Sequence, residues 1–298
     1  MSAEAGDATL LPDMQLEAPR QLLLVAGSGS YPQLLLDGAR KAGVQRIALI
    51  AVRGMTSRRL AAQADDVCWC GVGEIGKVLD WAQQCGARHV AMVGQITPAA
   101  IFHTRFDSIA SEILRSLPVK NAHTVFGRIA ELLAARGLQA IPSSLFMDDH
   151  LPAPGLLSRR PPDSREAGDI ELGHRVGMTV CNMDVGQTVV VKDGMVLAVE
   201  AFEGTNDAIR RGGKLGGPGA VVVKVAKVGH DMRFDIPEIG VQTIPVLKRA
   251  RISALAFQAC RTVLLEREEV VAAADRLGIA LVSIDSGLPP APTRLAEQ

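Results

Sequence analysis

Apolar residues first gather in a run from Leu22 to Ala26, break at Gly27-Ser28-Gly29-Ser30, and recur at helical spacing from Leu34 to Ala42. That succession predicts a buried strand, a tight turn and a helix. The unit repeats, with strands predicted at Ile47–Val52, Val67–Val72 and His89–Val93 and helical patterns between them, clearest over Gly73–Gly86. Apolar strands alternating with amphipathic helices predict a parallel sheet with crossover helices. Two more amphipathic stretches, Ala99–Arg115 and Val125–Arg136, lead to a short apolar segment, Gln139–Leu145, where a first domain is expected to close.

Between His150 and Ser164 the periodicity lapses, and Pro152, Pro154, Pro161 and Pro162 withdraw backbone donors. Such a segment reads as a linker. After it come a predicted helix (Arg165–Met183) and two apolar runs flanking Asp193-Gly194, a strong hairpin signal. A helix over Thr205–Arg211 with Thr205 as its cap, a strand at Ala220–Ala226, a loop through Gly240 and a helix-strand-helix-strand run ending at Ile284 complete the pattern. The expected organisation is a disordered tail (1–18), a Rossmann-like N-terminal α/β domain with a parallel sheet (19–148), a Pro-rich linker (149–164), a distinct α/β C-terminal catalytic domain (165–287) and a second disordered tail (288–298). No internal repeat is visible.

Composition narrows the function. Thirty-two Lys and Arg balance 32 Asp and Glu, so there is no general attraction for polyanions, and nucleic-acid binding is not expected. Hydrophobic residues reach 48% with only 3% aromatics, the aliphatic balance of helices laid on Val/Ile/Leu-rich strands. No apolar run approaches the roughly 18 residues of a membrane span, and the acidic N-terminal stretch does not look like a secretory signal, so a cytoplasmic protein is expected. Cys68, Cys70, Cys85, Cys181 and Cys260 lack zinc-site spacing and are read as reduced thiols.

Candidate chemistry lies in two places. Gly27, Ser28 and Gly29 follow a predicted strand, as do Gly73, Glu74 and Lys77 and, further on, Gly94-Gln95. Turns at the carboxyl ends of parallel strands receive phosphates through backbone amides and helix N-termini. Each also fits a purely structural role, packing helix on strand, and the third glycine of a dinucleotide fingerprint is absent, with Pro32 and Gln33 in its neighbourhood. The denser cluster is in the second domain. Glu200, Glu203, Gly204, Thr205, Asn206, Asp207, Arg210 and Arg211 crowd one segment, and Lys224, Lys227, His230, Asp231, Arg233 and Asp235 crowd another. Basic side chains neutralise phosphate oxygens while carboxylates hold a divalent metal or orient water; the competing reading is a solvated loop of weak ion pairs.

At these residues the chain resembles the LpxI family of UDP-2,3-diacylglucosamine pyrophosphatases. The resemblance rests on MDVGQTVVVKDGMVLAVEAFEGT and VKVAKVGHDMRFDIPEIGVQTI, supported by VAGSGSYP, GVGEIGKVLDWA and VGQITP. It runs, with gaps, from Leu22 to Asp285. It implies a substrate held between two domains and a magnesium-dependent cleavage of UDP-2,3-diacylglucosamine into 2,3-diacylglucosamine 1-phosphate and UMP. The family's catalytic aspartate, in its Arg-Phe-Asp motif, falls on Asp235, with Glu200 and Glu203 as further catalytic candidates and Asp235 and Asp207 as metal ligands. Gly27, Ser28, Gly29, Gly73, Glu74, Lys77, Gln95, Gly204, Thr205, Asn206, Lys224, Lys227, Arg233 and Thr243 are the expected substrate contacts. A diacylated substrate further implies peripheral attachment at the inner face of the inner membrane, and a homo-oligomer is an open expectation. The chain departs from the family pattern at Asn206, where an aspartate is usual, at Asn121-Ala122-His123-Thr124, and at Val228, His230 and Glu238.

Three functions compete at this point: a metal-assisted hydrolase, a binding protein that keeps the cleft without turnover, and a nicotinamide-dependent oxidoreductase built on Gly27-Ser28-Gly29.

Overall fold

The computed structural model describes residues 18–96, 104–118, 122–226, 231–234, 236–285 and 287–293. In the first half, strands β1 (Gln21–Ala26), β2 (Arg46–Val52), β3 (Asp66–Cys70), β4 (His89–Val93) and β5 (Gln139–Ala140) form one sheet in the order β3-β2-β1-β4-β5. Every pairing in it is parallel. Two apolar clusters cover its faces, one built on Leu22, Leu24 and Leu49, the other on Leu23, Ile50 and Leu79. Alternate residues of the same strands feed opposite clusters, as strand geometry requires.

Boundaries shift where local chemistry intervenes. The first helix starts at Tyr31, with Pro32 in its first turn where a missing N–H costs nothing. Of the stretch expected as a helix over Ala99–Arg115, residues 97–103 lie outside the described ones, and the described helix is Ser108–Ser116, capped by Asp107 through the Ala110 amide. The apolar segment Gln139–Leu145 yields only the two-residue β5.

The second half holds a six-stranded sheet in the order β6-β13-β11-β9-β7-β8. Its strands are β6 (Gly155–Leu156), β7 (Thr188–Lys192), β8 (Met195–Val199), β9 (Ala220–Lys224), β11 (Ile252–Gln258) and β13 (Ala280–Ile284). β9, β11 and β13 run parallel, whereas β7 pairs antiparallel with β9 and β8 antiparallel with β7. The β7–β8 hairpin turns on Asp193 (φ 51°) and Gly194 (φ 75°), a pair of left-handed residues that matches strand twist. Asp169, buried on the helix Ser164–Asn182, accepts hydrogen bonds from both turn amides at 3.0 and 2.8 Å.

The Pro-rich segment connects the halves but is also built into the second: Gly155-Leu156 pairs antiparallel with β13 at the sheet edge. Asp163 and Glu166 then form a capping box that starts the long helix. The expected disordered tail is corrected over its described part. Ala291 is buried and donates its amide to Cys260 O at 2.8 Å, while Thr293 O accepts from the Phe146 amide at 3.1 Å. Prolines 289, 290 and 292 pre-extend this strap, so seating it costs little chain entropy.

The halves share one packed seam. Val263, Leu265 and Ile236 join the apolar cluster beneath β1 and β2. The short strands β10 (Glu238–Ile239) and β12 (Val263–Leu264) pair parallel, so Glu238 is anchored on backbone at that seam.

Candidate active site between the domains

Both sheets turn their carboxyl ends toward this seam. In the second domain the reversed direction of β7 puts its first residue, Thr188, opposite the last residue of β9, Lys224. Glu200, just past β8, donates its amide to Thr188 O at 2.8 Å. Three neighbouring strands therefore bring Thr188, Glu200 and Lys224 to one edge, where each is at most 7% exposed. Thr205 Oγ1 donates to Glu200 Oε1 at 2.9 Å, and Lys224 Nζ lies 3.4 Å from Thr205 Oγ1 and donates to Glu238 O at 3.1 Å. Glu200 Oε2 is buried with no hydrogen-bond partner among the described residues. Leaving a buried carboxylate oxygen unsatisfied costs stability, so it marks a place where a ligand atom completes the shell.

The sequence had grouped Glu200 with Glu203, and the structure separates them. Glu203 turns outward to pair with Arg211, which holds its carboxyl below the usual carboxylate range. Asp207 is exposed and pairs with Arg210, and Asn206 is exposed beside it. The helix cap is also corrected: Gly204, at φ 84°, is the N-cap of Thr205–Gly216, and Thr205 is the first helical residue. Its hydroxyl is thereby free of capping and serves Glu200.

Arg233 is clamped by Asp231 through bonds of 2.8 and 2.6 Å and stacks over Phe234 at 5.5 Å. Phe234 packs on Phe126 of the first domain with ring centroids 5.9 Å apart. Ser143, beyond β5, donates its amide to Met232 O and its hydroxyl to Arg233 O, both at 2.6 Å. Phe234 and Ile236 are thus both packed against the N-terminal domain. Asp235 and Lys227 themselves lie outside the described residues. Thr243 is half-buried, ends a short 3₁₀ turn and makes no side-chain cap.

The glycine turns of the first domain pack neighbouring strand exits together. Gly27 N donates to Val93 O at 2.8 Å, and Ser28 and Gln95 exchange a pair of backbone bonds at 2.9 and 3.0 Å. A Cβ at Gly27 would lie 2.6 Å from Gln95 O, so glycine lets two strand exits touch. Two amides expected to receive phosphate are already occupied, which removes the main support for a nicotinamide site. At the second turn the Asp107 carboxylate accepts from Gly76 N at 2.7 Å, filling the anion position at the start of helix Ile75–Gln84. Glu74 accepts from the Gly71 amide at 2.9 Å and from Arg53 at 2.5 Å; the amide first, then Arg53, hold its carboxyl low. Lys77 donates to Trp69 O at 2.8 Å, and a Cβ at Gly73 would meet Arg105 O at 2.3 Å. Gln95 reaches across the seam and donates from Nε2 to Glu238 Oε1.

Sequence reasoning missed Thr188 and treated Glu238 only as a departure. Thr188 carries no local signal beyond opening a strand; its place follows from the antiparallel return of β7.

Among the described residues no group of three His, Cys, Asp or Glu side chains could hold a metal ion. The single open oxygen of Glu200 fits a magnesium ion, which takes one or two carboxylates and completes its shell with water and substrate phosphates.

Two α/β domains with parallel strands ending at a shared seam, and a buried carboxylate, threonine and lysine at that seam, define a two-domain ligand-binding protein of the enzyme type. Matches to known proteins make this specific: the LpxI N-terminal domain model covers residues 21–150 and the LpxI C-terminal domain model residues 153–282. A relative from Caulobacter vibrioides, named UDP-2,3-diacylglucosamine pyrophosphatase LpxI, is 30% identical over 280 residues, covering 89% of this chain and 98% of its own. The chain belongs to the LpxI family. A solved biotin carboxylase subunit of pyruvate carboxylase aligns at 14% identity over 66% of this chain and 42% of its own, with a TM-score of 0.26, too low to bear on fold or function.

Proposed function

We propose that this chain hydrolyses UDP-2,3-diacylglucosamine to 2,3-diacylglucosamine 1-phosphate and UMP, as a magnesium-dependent enzyme of lipid A biosynthesis. The observation that carries the reading is the cluster of buried Glu200 and Lys224 with half-buried Thr205 on the seam-facing edge of the second sheet, in a chain of this family. A pyrophosphate needs cationic and metal-holding groups sheltered from water, and here they lie where the two domains meet.

In the reaction, water adds to one phosphorus as the bridging phosphorus–oxygen bond breaks, and two monophosphates leave. Asp235, matched to the family's catalytic aspartate, takes the proton from that water. Lys224 faces the developing phosphate charge with its ammonium already fixed by the Glu238 carbonyl and Thr205. Glu200 Oε2, with Asp235, is the residue set for holding magnesium, which when bound supplies charge neutralisation on the pyrophosphate. Glu203 and Asp207, engaged by Arg211 and Arg210, have supporting roles at the rim.

Phe202 stands 99% exposed two residues beyond Glu200. An apolar tip beside such a cleft suits insertion into the lipid surface from which a diacylated substrate is drawn. No helix among the described residues is long and apolar enough to cross a membrane.

The test is Asp235→Asn and Glu200→Gln, assayed for UMP release with circular dichroism as the folding control. Each is expected to lose about a hundredfold or more in rate with its fold retained. Near-normal turnover in both would remove the cluster from the active site, and UDP-sugar lipid binding without turnover in wild type would make the chain a carrier.

A further inference from the structure

Glu238 occupies an unusual position on the seam. Its carboxylate accepts from Gln95 of the first domain. Its carbonyl accepts from the ammonium of Lys224, 6% exposed, at 3.1 Å. Its backbone is fixed by pairing of β10 with β12, including the Val263 amide on Pro237 O at 2.8 Å. Gln95 is equally constrained, because its backbone is bridged to Ser28 and a Cβ at Gly94 would lie 2.8 Å from both Pro32 and Ser28 O. A rigid strand exit in one domain therefore holds, through one side-chain bond, the residue whose carbonyl orients a buried lysine in the other.

We infer that Glu238 is a positioning residue: the Gln95–Glu238 contact sets the register of the two domains and, through the Glu238 carbonyl, the placement of the Lys224 ammonium. Neighbouring observations agree. Tyr31, 4% exposed, donates its hydroxyl to Ser143 O at 2.9 Å and is kept protonated by burial and then by the charge of Glu238. Ser143 in turn binds the Met232–Arg233 backbone. Among the described residues the Gln95 amide is the hydrogen-bonding partner of this carboxylate across the domains. The glycine turn after β1 acquires a purpose in this arrangement, which is to hold Gln95 at the seam.

The inference deepens the proposed hydrolase reading and rests on it for its kinetic arm. Gln95→Ala, Glu238→Ala, the double variant and Glu238→Gln are to be compared in UMP release from UDP-2,3-diacylglucosamine and in hydrogen exchange of the resting protein. A charge-assisted bond of this kind predicts that either alanine lowers kcat by about tenfold with KM nearly unchanged. The double variant is expected to be no slower than the slower single one, since both remove the same contact. Glu238→Gln, which still accepts from Gln95, restores most of the rate. Independently of turnover, Glu238→Ala is expected to speed exchange at the Gly27, Ser28 and Gln95 amides, and Gln95→Ala at Ile239 to Leu265. Multiplying single effects, wild-type kcat in both alanine variants, or a Glu238→Gln variant as slow as Glu238→Ala would overturn the inference. If wild type releases no UMP, the hydrolase reading fails and the exchange arm alone decides: unchanged exchange across the seam refutes the positioning role.

Discussion

Gly27→Ala separates two roles for the turn after β1. Gly27 is absent from the residues of positive φ, so alanine meets no backbone strain there. What it meets is backbone: the added methyl would lie 2.6 Å from Gln95 O, 2.8 Å from Gly94 C and 2.9 Å from Gly94 O. None of these atoms is the end of a flexible side chain, so the two strand exits must separate. Separation breaks the bond from Gly27 N to Val93 O and the reciprocal Ser28–Gln95 pair. At about 1 kcal/mol net for each of these bonds the loss is roughly 3 kcal/mol, which for a domain of this size lowers Tm by about 10 °C. Gly29→Ala is the control, because at φ 93° it has no atom within 4 Å of its added methyl and loses only the left-handed strain of about 1 kcal/mol. The assay is thermal unfolding of both variants beside wild type. A phosphate-binding turn would give the opposite pattern, unchanged Tm for Gly27→Ala with a raised KM. That pattern would refute the packing argument and return the turn to the substrate.

Glu166 is 2% exposed in its side chain and bound by Arg160 at 2.8 and 3.0 Å. Burial alone would push its carboxyl up, but the Arg160 bonds and the Asp163 amide outweigh it and hold it at about 2. A lowered folded value stabilises above the unfolded one, near 4.5, and that stability is lost as pH falls toward about 2. Glu166→Gln is therefore expected to lower stability by roughly 3 kcal/mol at neutral pH, with the gap to wild type closing through the acid range in urea titrations; a gap independent of pH would contradict the assignment. Phe202→Asp should weaken flotation with anionic vesicles by about tenfold or more, since a phenylalanine contributes about 2 kcal/mol on burial; equal flotation would place membrane contact elsewhere.

The fold was legible in the sequence to the extent that its signals were local. Apolar runs followed by glycine gave β1 to β4, and Asp193-Gly194 gave the hairpin, because each needs only neighbours in the chain. β6 was hidden in a proline-rich connector, since a two-residue edge strand is defined by its partner β13. The strap at Leu288–Thr293 was hidden likewise, its bonds going to Cys260, Arg261, Ser144 and Phe146. In the site, Glu200 and Thr205 fall in one polar segment of the sequence and Lys224 in another, which the fold brings together, and Glu203 cannot be told from Glu200 by spacing. The two carboxylates part because Arg211 pairs with Glu203 while the Thr205 hydroxyl donates to Glu200. The glycine turns are ambiguous in sequence for a related reason: a turn that touches a neighbouring strand and one that touches a phosphate require the same residue.

Purified chain incubated with UDP-2,3-diacylglucosamine and Mg²⁺, with products followed by mass spectrometry, is expected to release UMP and 2,3-diacylglucosamine 1-phosphate in equal amounts. Substrate recovered intact, or UDP released in place of UMP, would contradict hydrolysis of the pyrophosphate at this seam.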